Sequence, residues 1–373
     1  MTSTPKQAVL QFAFPGEIIS LRRCKFGHIN DTFVVQSQVD GRSESFILQR
    51  INHHVFRQPV ALMENIVKVT SFLRHKIEQE GGDPDRETLT LIPTKKGELF
   101  YSSPQGDYWR SYRFISGARS YMRVENIEQL YQAARAFGRF MRRLDDFPAQ
   151  ELHETIPDFH HTPKRFRALM QAVATDRHNR AHGVRDLIAM AEARAEKLGW
   201  VTDALEEGRL PRRVTHNDTK FNNVLIDDIT GEGVCVVDLD TVMPGSALFD
   251  FGDFVNTSAS NGAEDERDLS KVSLNLDYFD VIVRGYLQET QEVLTSQERE
   301  WLAFSAWLIT FELAMRFLTD YLNGDVYFRI HRPQHNLDRA RSKFTLAADM
   351  ERQERAMERI IARQGSQLEK RSD

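Results

Sequence analysis

The stretch Val214-Thr-His-Asn-Asp-Thr-Lys-Phe-Asn-Asn-Val-Leu-Ile226, followed by Val234-Cys-Val-Val-Asp-Leu-Asp240, decides how this chain is read. Apolar and β-branched residues flank both segments, which predicts strand, loop, strand, turn, strand. The loop presents a carboxylate at Asp218, a cation at Lys220 and an amide at Asn223, and the next hairpin ends in Asp238. Asp218 can take the proton of a hydroxyl if it stays ionised and within hydrogen-bond reach. Asn223 and Asp238 offer hard oxygens of the kind Mg2+ accepts beside water and phosphate. An ion held there bridges phosphates and absorbs developing charge. Lys220, two residues past Asp218, is placed to reach a transferred phosphoryl group, and His216 reads as a brace for the loop. A base, a charge neutraliser and two metal ligands are the parts of a phosphoryl-transfer site. A lone Asp-Asn pair is ordinarily a turn device. Two halves in order, each flanked by apolar strand residues, separate this pattern from a turn.

Working outward, 373 residues predict two domains or lobes. Hydrophobic residues at 41% and charged residues at 28% are ordinary for a soluble globular protein. A net charge of −5 leaves no basic field to favour nucleic acid. The two cysteines, Cys24 and Cys235, sit in apolar strand-like runs, which predicts buried thiols in a reducing compartment. They cannot build a disulfide framework or a cysteine-rich zinc site, so any metal is expected to be oxygen-bound. Met1 to Gln11 lacks the apolar core of a signal peptide. The longest apolar stretch, Trp301 to Phe317, is interrupted by Ser305, Glu312 and Arg316, so no run approaches membrane-spanning length. A cytoplasmic protein without membrane partners is expected, and its oligomeric state is not encoded in these features.

The first part is strand-rich. Ile29–Val35 and Ser45–Arg50 read as strands joined at the Asp40-Gly41 hairpin signal. Leu62, Ile66, Val69, Leu73 and Ile77 predict an amphipathic helix over Pro59–Gln79, stopped by Gly81-Gly82. A second hairpin is predicted from Thr88–Pro93, Lys96-Gly97 and Leu99–Ser102, then a strand over Asp107–Ile115. Helices begin past Ser116-Gly-Ala118, which sets the expected lobe boundary near residue 116, giving lobes 1–116 and 117–373. The helical segments are Glu128–Leu144, Pro163–Ala174, Val184–Glu207, Leu269–Thr290, Ser296–Leu322 and Leu337–Arg363, the last expected to be a solvated terminal element. The polar loop Pro148–Pro163 carries His153, His160 and His161 and reads as structural or substrate-facing.

The spacing His-x-Asp-x-x-x-x-Asn, then an apolar hairpin ending in Asp, resembles the catalytic loop of protein-kinase-like folds. The form His216-Asn-Asp218 is similar to the small-molecule branch: aminoglycoside phosphotransferases, choline kinases and homoserine kinases. The longer run His216–Asn223, with Asp238-Leu-Asp-Thr-Val-Met-Pro-Gly245 and Asp250-Phe-Gly-Asp253, resembles the N-acetylhexosamine 1-kinases. Phe26-Gly-His-Ile-Asn-Asp-Thr32, Phe46–Asn52, Leu152–Asp158 and Met315–Leu322 fit the same pattern, so the resemblance covers most of the chain. It implies a two-lobed α+β fold with a small β-rich N-terminal lobe and a larger, mostly helical C-terminal lobe. It implies ATP as co-substrate, Mg2+ on Asn223 and Asp238, and transfer to the C1 hydroxyl of N-acetylglucosamine or N-acetylgalactosamine. Asp218 would orient and deprotonate that hydroxyl, and Arg316 and Tyr327 would contact the sugar. Other readings are a same-fold kinase for homoserine, choline or an amino sugar at another hydroxyl, or a nucleotide-binding regulator without turnover.

At the nucleotide end the candidates are Gly27, Asn30, Thr32, Gln49, Arg50, Arg113 and Ile115. Gly27 lets backbone approach a phosphate closely, and Tyr112–Ile115 would meet the adenine at the lobe junction. A lysine normally stands on the strand after the hairpin. Here Gln49 holds that place with Arg50 beside it, pointing to opposite faces. Either Gln49 hydrogen-bonds phosphate neutrally or Arg50 supplies the charge, which leaves the partner of Glu64 undecided. At the sugar end, Arg316 on an apolar helix either pairs with Asp253 or Glu312 or binds sugar oxygens. Phe249, Phe251, Phe254, Tyr321, Tyr327 and Phe328 are candidate walls. Asp250 and Asp253 are expected to anchor the loop after the metal ligand.

Overall fold

The computed structural model describes residues 3–24 and 29–372. The chain forms two compact units, each discontinuous in sequence: Met1–Arg119 with Asp146–Ile156 and Leu225–Pro244, and Ser120–Asp145 with Pro157–Val224 and Gly245–Asp373. Two later segments thus join the β-rich part, beyond the break expected near residue 116. The architecture is the expected α+β kinase-like one, an N-terminal antiparallel sheet and a larger helical region.

In the first unit, helix α1 (Pro5–Val9) precedes strands β1 (Glu17–Arg23), β2 (Asp31–Val39) and β3 (Arg42–Ile51). Helix α2 (Pro59–Gln79) and the short α3 (Pro84–Glu87) follow, then β4 (Tyr101–Ser102), β5 (Tyr108–Arg113) and β6 (Ala118–Arg119). The sheet order is β1-β2-β3-β5-β4. Asp40 and Gly41 both take positive φ, 49° and 77°, the primed two-residue turn that matches the twist of paired strands. Val35, Phe46, Leu48 and Trp109 share one face and bury against Ala8, Val9 and Phe12. Helix α2 has the predicted limits, and its five periodic apolar residues are all buried.

The expected hairpin over 88–102 forms only in part. Its turn closes, with Gly97 N–H donating to the Thr94 carbonyl at 2.9 Å. The arm before the turn pairs elsewhere: Ile92 N–H donates to Ser111 and Arg113 N–H to Thr90, while Ala13 N–H donates to Pro93 and Lys95 N–H to Gln11. Pro93 has no N–H, so a regular ladder to the second arm lacks a donor there. Helix α1 and β1 lie outside the sequence expectations; a five-residue helix and a strand with an irregular burial pattern carry little periodic signal.

The second unit is helical: α4 (Ile127–Arg143), α5 (Thr162–Thr175), α6 (Arg185–Glu192), α7 (Trp200–Glu206), α8 (Ala247–Ser258), α9 (Leu276–Thr290), α10 (Ser296–Glu300), α11 (Leu302–Leu322) and α12 (His335–Ser372). The helix expected over 184–207 is broken at 195–199 by a 3-10 turn ending in Gly199, and Arg194 and Lys197 there pair with Glu351. A capping box of Thr295 and Glu298 starts α10, and Trp301 separates it from α11.

Two expectations need correction. Helix α11, 21 residues with a window of mean hydropathy 1.3, is long and apolar enough to cross a membrane by length and composition. Here 78% of that window is buried inside the protein, as in a core helix. Helix α12 is not merely solvated. Leu337, Ala340, Phe344, Ala347 and Met350 recur at helical spacing and are buried. Lys343 is buried with them because Asn256 accepts its ammonium through both carbonyl oxygens, at 3.0 and 2.8 Å. The many charges of the outer face hid this stripe.

Helices α8 and α11 approach closely at Gly252, where an added Cβ would meet the Ser305 carbonyl and Ile309. Alanine elsewhere in a helix gains about 1 kcal/mol over glycine, but overpacking against backbone costs about 1–3 kcal/mol. Gly252→Ala is therefore expected to lower the melting temperature. A variant that melts at or above the wild type would contradict the close approach.

Candidate active site

In the second unit, the buried strand Arg213–Thr215 leads into the loop 216–223, the expected catalytic loop. Its first residue is anchored: Arg213 forks onto Glu298 at 2.7 and 2.9 Å. The chain then turns at Asn217, whose φ of 62° is left-handed. That conformation costs an L-residue about 1–2 kcal/mol and is visited by asparagine more readily than most. Asp250, in the first turn of α8, holds it there. Its carboxylate accepts the N–H groups of His216 and Asn217 at 2.8 and 2.7 Å, and its carbonyl accepts the Thr219 hydroxyl at 2.6 Å. Burial pushes the Asp250 carboxyl up to about 6, with His216 and the two N–H groups pulling against it. Asp250, expected to secure the loop after the metal ligand, therefore secures the loop 216–219, and Asp253 lies 3.4 Å from the Thr219 hydroxyl. His216 is fully buried against the edges of Phe137 and Phe140 and accepts the Asp218 N–H at 3.3 Å, consistent with a brace.

The loop brings three of the expected residues together. Lys220 forms an ion pair with Asp218. Asn223 donates its amide N–H to the Asp218 carbonyl at 2.9 Å, and the same nitrogen lies 3.4 Å from the carboxylate. That orients the Asn223 Oδ1 away from Asp218, as a hard cation requires of it. Among the described residues no three His, Cys, Asp or Glu side chains cluster to hold an ion. The Asn223 amide oxygen is a donor of the kind Mg2+ takes, since that ion keeps several waters and uses few protein ligands. Beneath the loop, Asp253 is pushed up to about 6 by burial and then by the like charge of Asp218, with Lys220 opposing.

Arg316 on α11 does not pair with either expected carboxylate. Glu312 is taken by the Thr162 hydroxyl at 2.6 Å and by His160 at 3.2 Å. Burial raises its carboxyl, but His160 and Arg316 hold it below its ordinary value. The other ring nitrogen of His160 faces the Asn217 carbonyl at 3.4 Å, tying α11 to the catalytic loop. The Arg316 guanidinium lies between the rings of Phe159 and Phe328, at 5.7 and 5.6 Å, and among the described residues nothing hydrogen-bonds or ion-pairs with it. Tyr327 packs on the same Phe328, and Asp320 holds their loop by accepting the N–H groups of Val326, Tyr327 and Phe328. Tyr327 is 70% exposed. Phe249, Phe251 and Phe254 are core residues rather than walls.

Sequence reasoning missed Arg165. Its Nη2 donates to the carbonyls of Asp158 and Phe159, its Nε is buried without a partner, and burial with the nearby charge of Arg316 depresses its basicity. Its signal was an arginine on the helix following Pro163.

The remaining candidates lie in the first unit. Gly27 falls outside the described residues. Asn30 donates to Asp240 at 2.6 Å and accepts the Asn52 N–H at 2.9 Å. Gln49 donates to the Thr32 hydroxyl at 3.1 Å. Arg50 lies on the opposite face, paired with Asp31 and 3.6 Å from Asp107. Arg113 uses its N–H on Thr90, and the Ile115 side chain is buried. Glu64 finds His153 at 2.6 Å, which settles its partner. Asp238 is exposed, with a left-handed backbone (φ 62°), and opens the turn Leu239–Thr241. Asn65 of α2 supports that segment by donating to the Val242 carbonyl at 2.9 Å. Cys235 is buried as expected, whereas Cys24 is only partly so.

With this geometry in hand, residues 20–274 match the profile of the phosphotransferase enzyme family, APH. The chain belongs to that family. Among solved structures it resembles an aminoglycoside phosphotransferase from Alicyclobacillus acidocaldarius at 14% identity, with 99% of this chain and 97% of that one covered and a TM-score of 0.59. It also resembles a choline kinase from Cryptosporidium parvum (13% identity, 91% of each chain, TM-score 0.55). A third is an ethanolamine kinase from Plasmodium vivax (13% identity, 87% of this chain and 82% of that one, TM-score 0.53). At such identities the structures establish the shared fold. Membership in the APH family makes this protein a small-molecule phosphotransferase.

The buried carboxylate of Asp253 gives this phosphotransferase a pH-dependent cost. Its pKa rises on folding from 3.8 to about 6, so its contribution is fully present below pH 4 and is lost as pH rises through 6. The loss amounts to at most about 3 kcal/mol. Asp253→Asn is expected to gain melting temperature relative to wild type between pH 5 and 7. A constant difference across that range would contradict the burial of a charged group.

Proposed function

We propose that this phosphotransferase uses ATP to phosphorylate the anomeric hydroxyl of an N-acetylhexosamine, in the cytoplasm. The observation that carries the acceptor assignment is the Arg316 guanidinium between Phe159 and Phe328, unpaired among the described residues, with Arg165 beside it. Two cations with Glu312 already engaged repel choline, ethanolamine or an aminoglycoside. A neutral sugar supplies what they lack: hydroxyl and acetamido oxygens for the guanidinium and apolar C–H faces for the rings. The runs His216–Asn223, Asp238–Gly245 and Asp250–Asp253, with Phe46–Asn52 and Met315–Leu322 fitting the same pattern, carry the resemblance that narrows sugar to N-acetylhexosamine.

In this reading Asp218 takes the proton of the C1 hydroxyl as its oxygen bonds the γ-phosphorus and the bond to the β,γ-bridging oxygen breaks, leaving ADP. Lys220 pairs with Asp218 and screens the transferring charge. Asn223 and Asp238 are assigned to Mg2+, which when bound neutralises the phosphates. Release of ADP is the test, measured over about twenty acceptors spanning the chemistries one fold can host. N-acetylglucosamine and N-acetylgalactosamine should be turned over, and choline, ethanolamine and aminoglycosides should not. Turnover of the cationic alcohols alone overturns the acceptor, and no turnover of any acceptor favours a regulator. Asp218→Asn should lower kcat about a hundredfold or more with KM for ATP little changed; near-normal kcat would remove Asp218 from the chemistry.

A further inference from the structure

The face of the first sheet opposite its apolar core carries a row of polar side chains. Thr32, Gln49 and Arg110 are direct cross-strand partners on β2, β3 and β5. Gln49 donates to Thr32 at 3.1 Å and accepts the Arg110 Nε–H at 3.0 Å, so both ends of its amide are used inside the sheet. The Arg110 guanidinium continues into an ion pair with Asp240, whose other oxygen accepts from Asn30 at 2.6 Å. The side chains of Arg110 and Asp240 are 2% and 3% exposed. Burial works against the arginine's charge, but Asp240, and more weakly Asp238, hold it charged. Strands β2, β3 and β5 are thereby tied to the turn that Asp238 opens.

A fully buried ion pair is weak as a source of stability, since apolar replacements of like volume often do as well or better; its best-attested use is to fix one arrangement. Here the arrangement fixed is that of the Asp238–Asp240 turn against the face bearing Gln49. The other basic residue near position 49 is spent elsewhere, Arg50 being engaged by Asp31 and close to Asp107 on the apolar-core face.

We propose that Arg110, gripped by Asp240, is the positioning cation of the nucleotide end: the charge that a lysine at position 49 would carry comes from the neighbouring strand and sets Asp238 to receive the magnesium nucleotide. The inference rests on the reading of the protein as an ATP-dependent kinase. Arg110 acts through Asp240 and Asp238.

The test is calorimetric titration of the full chain with ADP and Mg2+, beside melting curves without nucleotide. Arg110→Gln with Asp240→Asn removes both charges and leaves an amide pair, so no buried carboxylate is stranded. That double variant should melt close to wild type and bind Mg·ADP about tenfold or more weakly, the scale seen when partners of metal ligands are lost. Adding Gln49→Lys should restore most of the affinity by returning a cation to the same row. A folded double variant with wild-type affinity overturns the proposal, because a purely structural pair is satisfied by its neutral replacement. Weakened binding that Gln49→Lys leaves unimproved overturns the transfer of the lysine's role. If the double variant does not fold, Arg110→Lys decides: retained charge with a lost fork should fold and bind several-fold more weakly, and unchanged binding overturns the proposal. Wild-type protein that takes up no Mg·ADP would instead refute the kinase reading.

Discussion

One buried carboxylate organises the loop 216–223, to which catalysis is assigned. Asp250 accepts two successive backbone N–H groups, those of His216 and Asn217, and so holds Asn217 in a left-handed turn. The turn delivers Asp218 to the surface between Lys220 and Asn223. Its stability cost is visible in the raised pKa of Asp250, a charge kept out of water to fix a backbone shape. Strain of this kind persists where surrounding structure over-determines it, and it is concentrated at functional sites. The turn at Asp238 repeats the pattern, a left-handed aspartate beside a buried ion pair.

The acceptor end follows from how charges around this loop are spent. Glu312 is consumed by His160 and Thr162, and His160 in turn touches the carbonyl of the strained Asn217. That leaves Arg316, one turn further along α11, against the rings of Phe159 and Phe328 and near Arg165, with no hydrogen-bond or ion-pair partner among the described residues. A guanidinium so placed lacks planar hydrogen-bond partners, which the oxygens of the proposed sugar would supply.

Much of this was legible in the sequence because it depends on local patterns. Helix α2 is fixed by its apolar period and its glycine stop, the β2–β3 hairpin by Asp40-Gly41, and the catalytic loop by its spacing. What escaped depends on contacts between residues far apart. Arg110 reads as an ordinary strand residue until Asp240 is seen beside it, 130 residues later in the numbering. Arg165 gains meaning only beside Arg316, and Lys343 only against Asn256. Helix α12 was misread because its apolar stripe is thin among many charges. Pro93 cancelled a hairpin whose turn residues were present. In each case a long-range partner or a missing donor overrode the local signal.

The central claim is that phosphate lands on the anomeric oxygen of a sugar. Phosphorus NMR of the product formed from ATP and N-acetylglucosamine tests it most directly. The account predicts a phosphorus signal coupled to the anomeric proton, from a single anomer that no longer interconverts. A phosphorus coupled to the C6 protons, with both anomers still exchanging, would contradict it while leaving the kinase fold untouched.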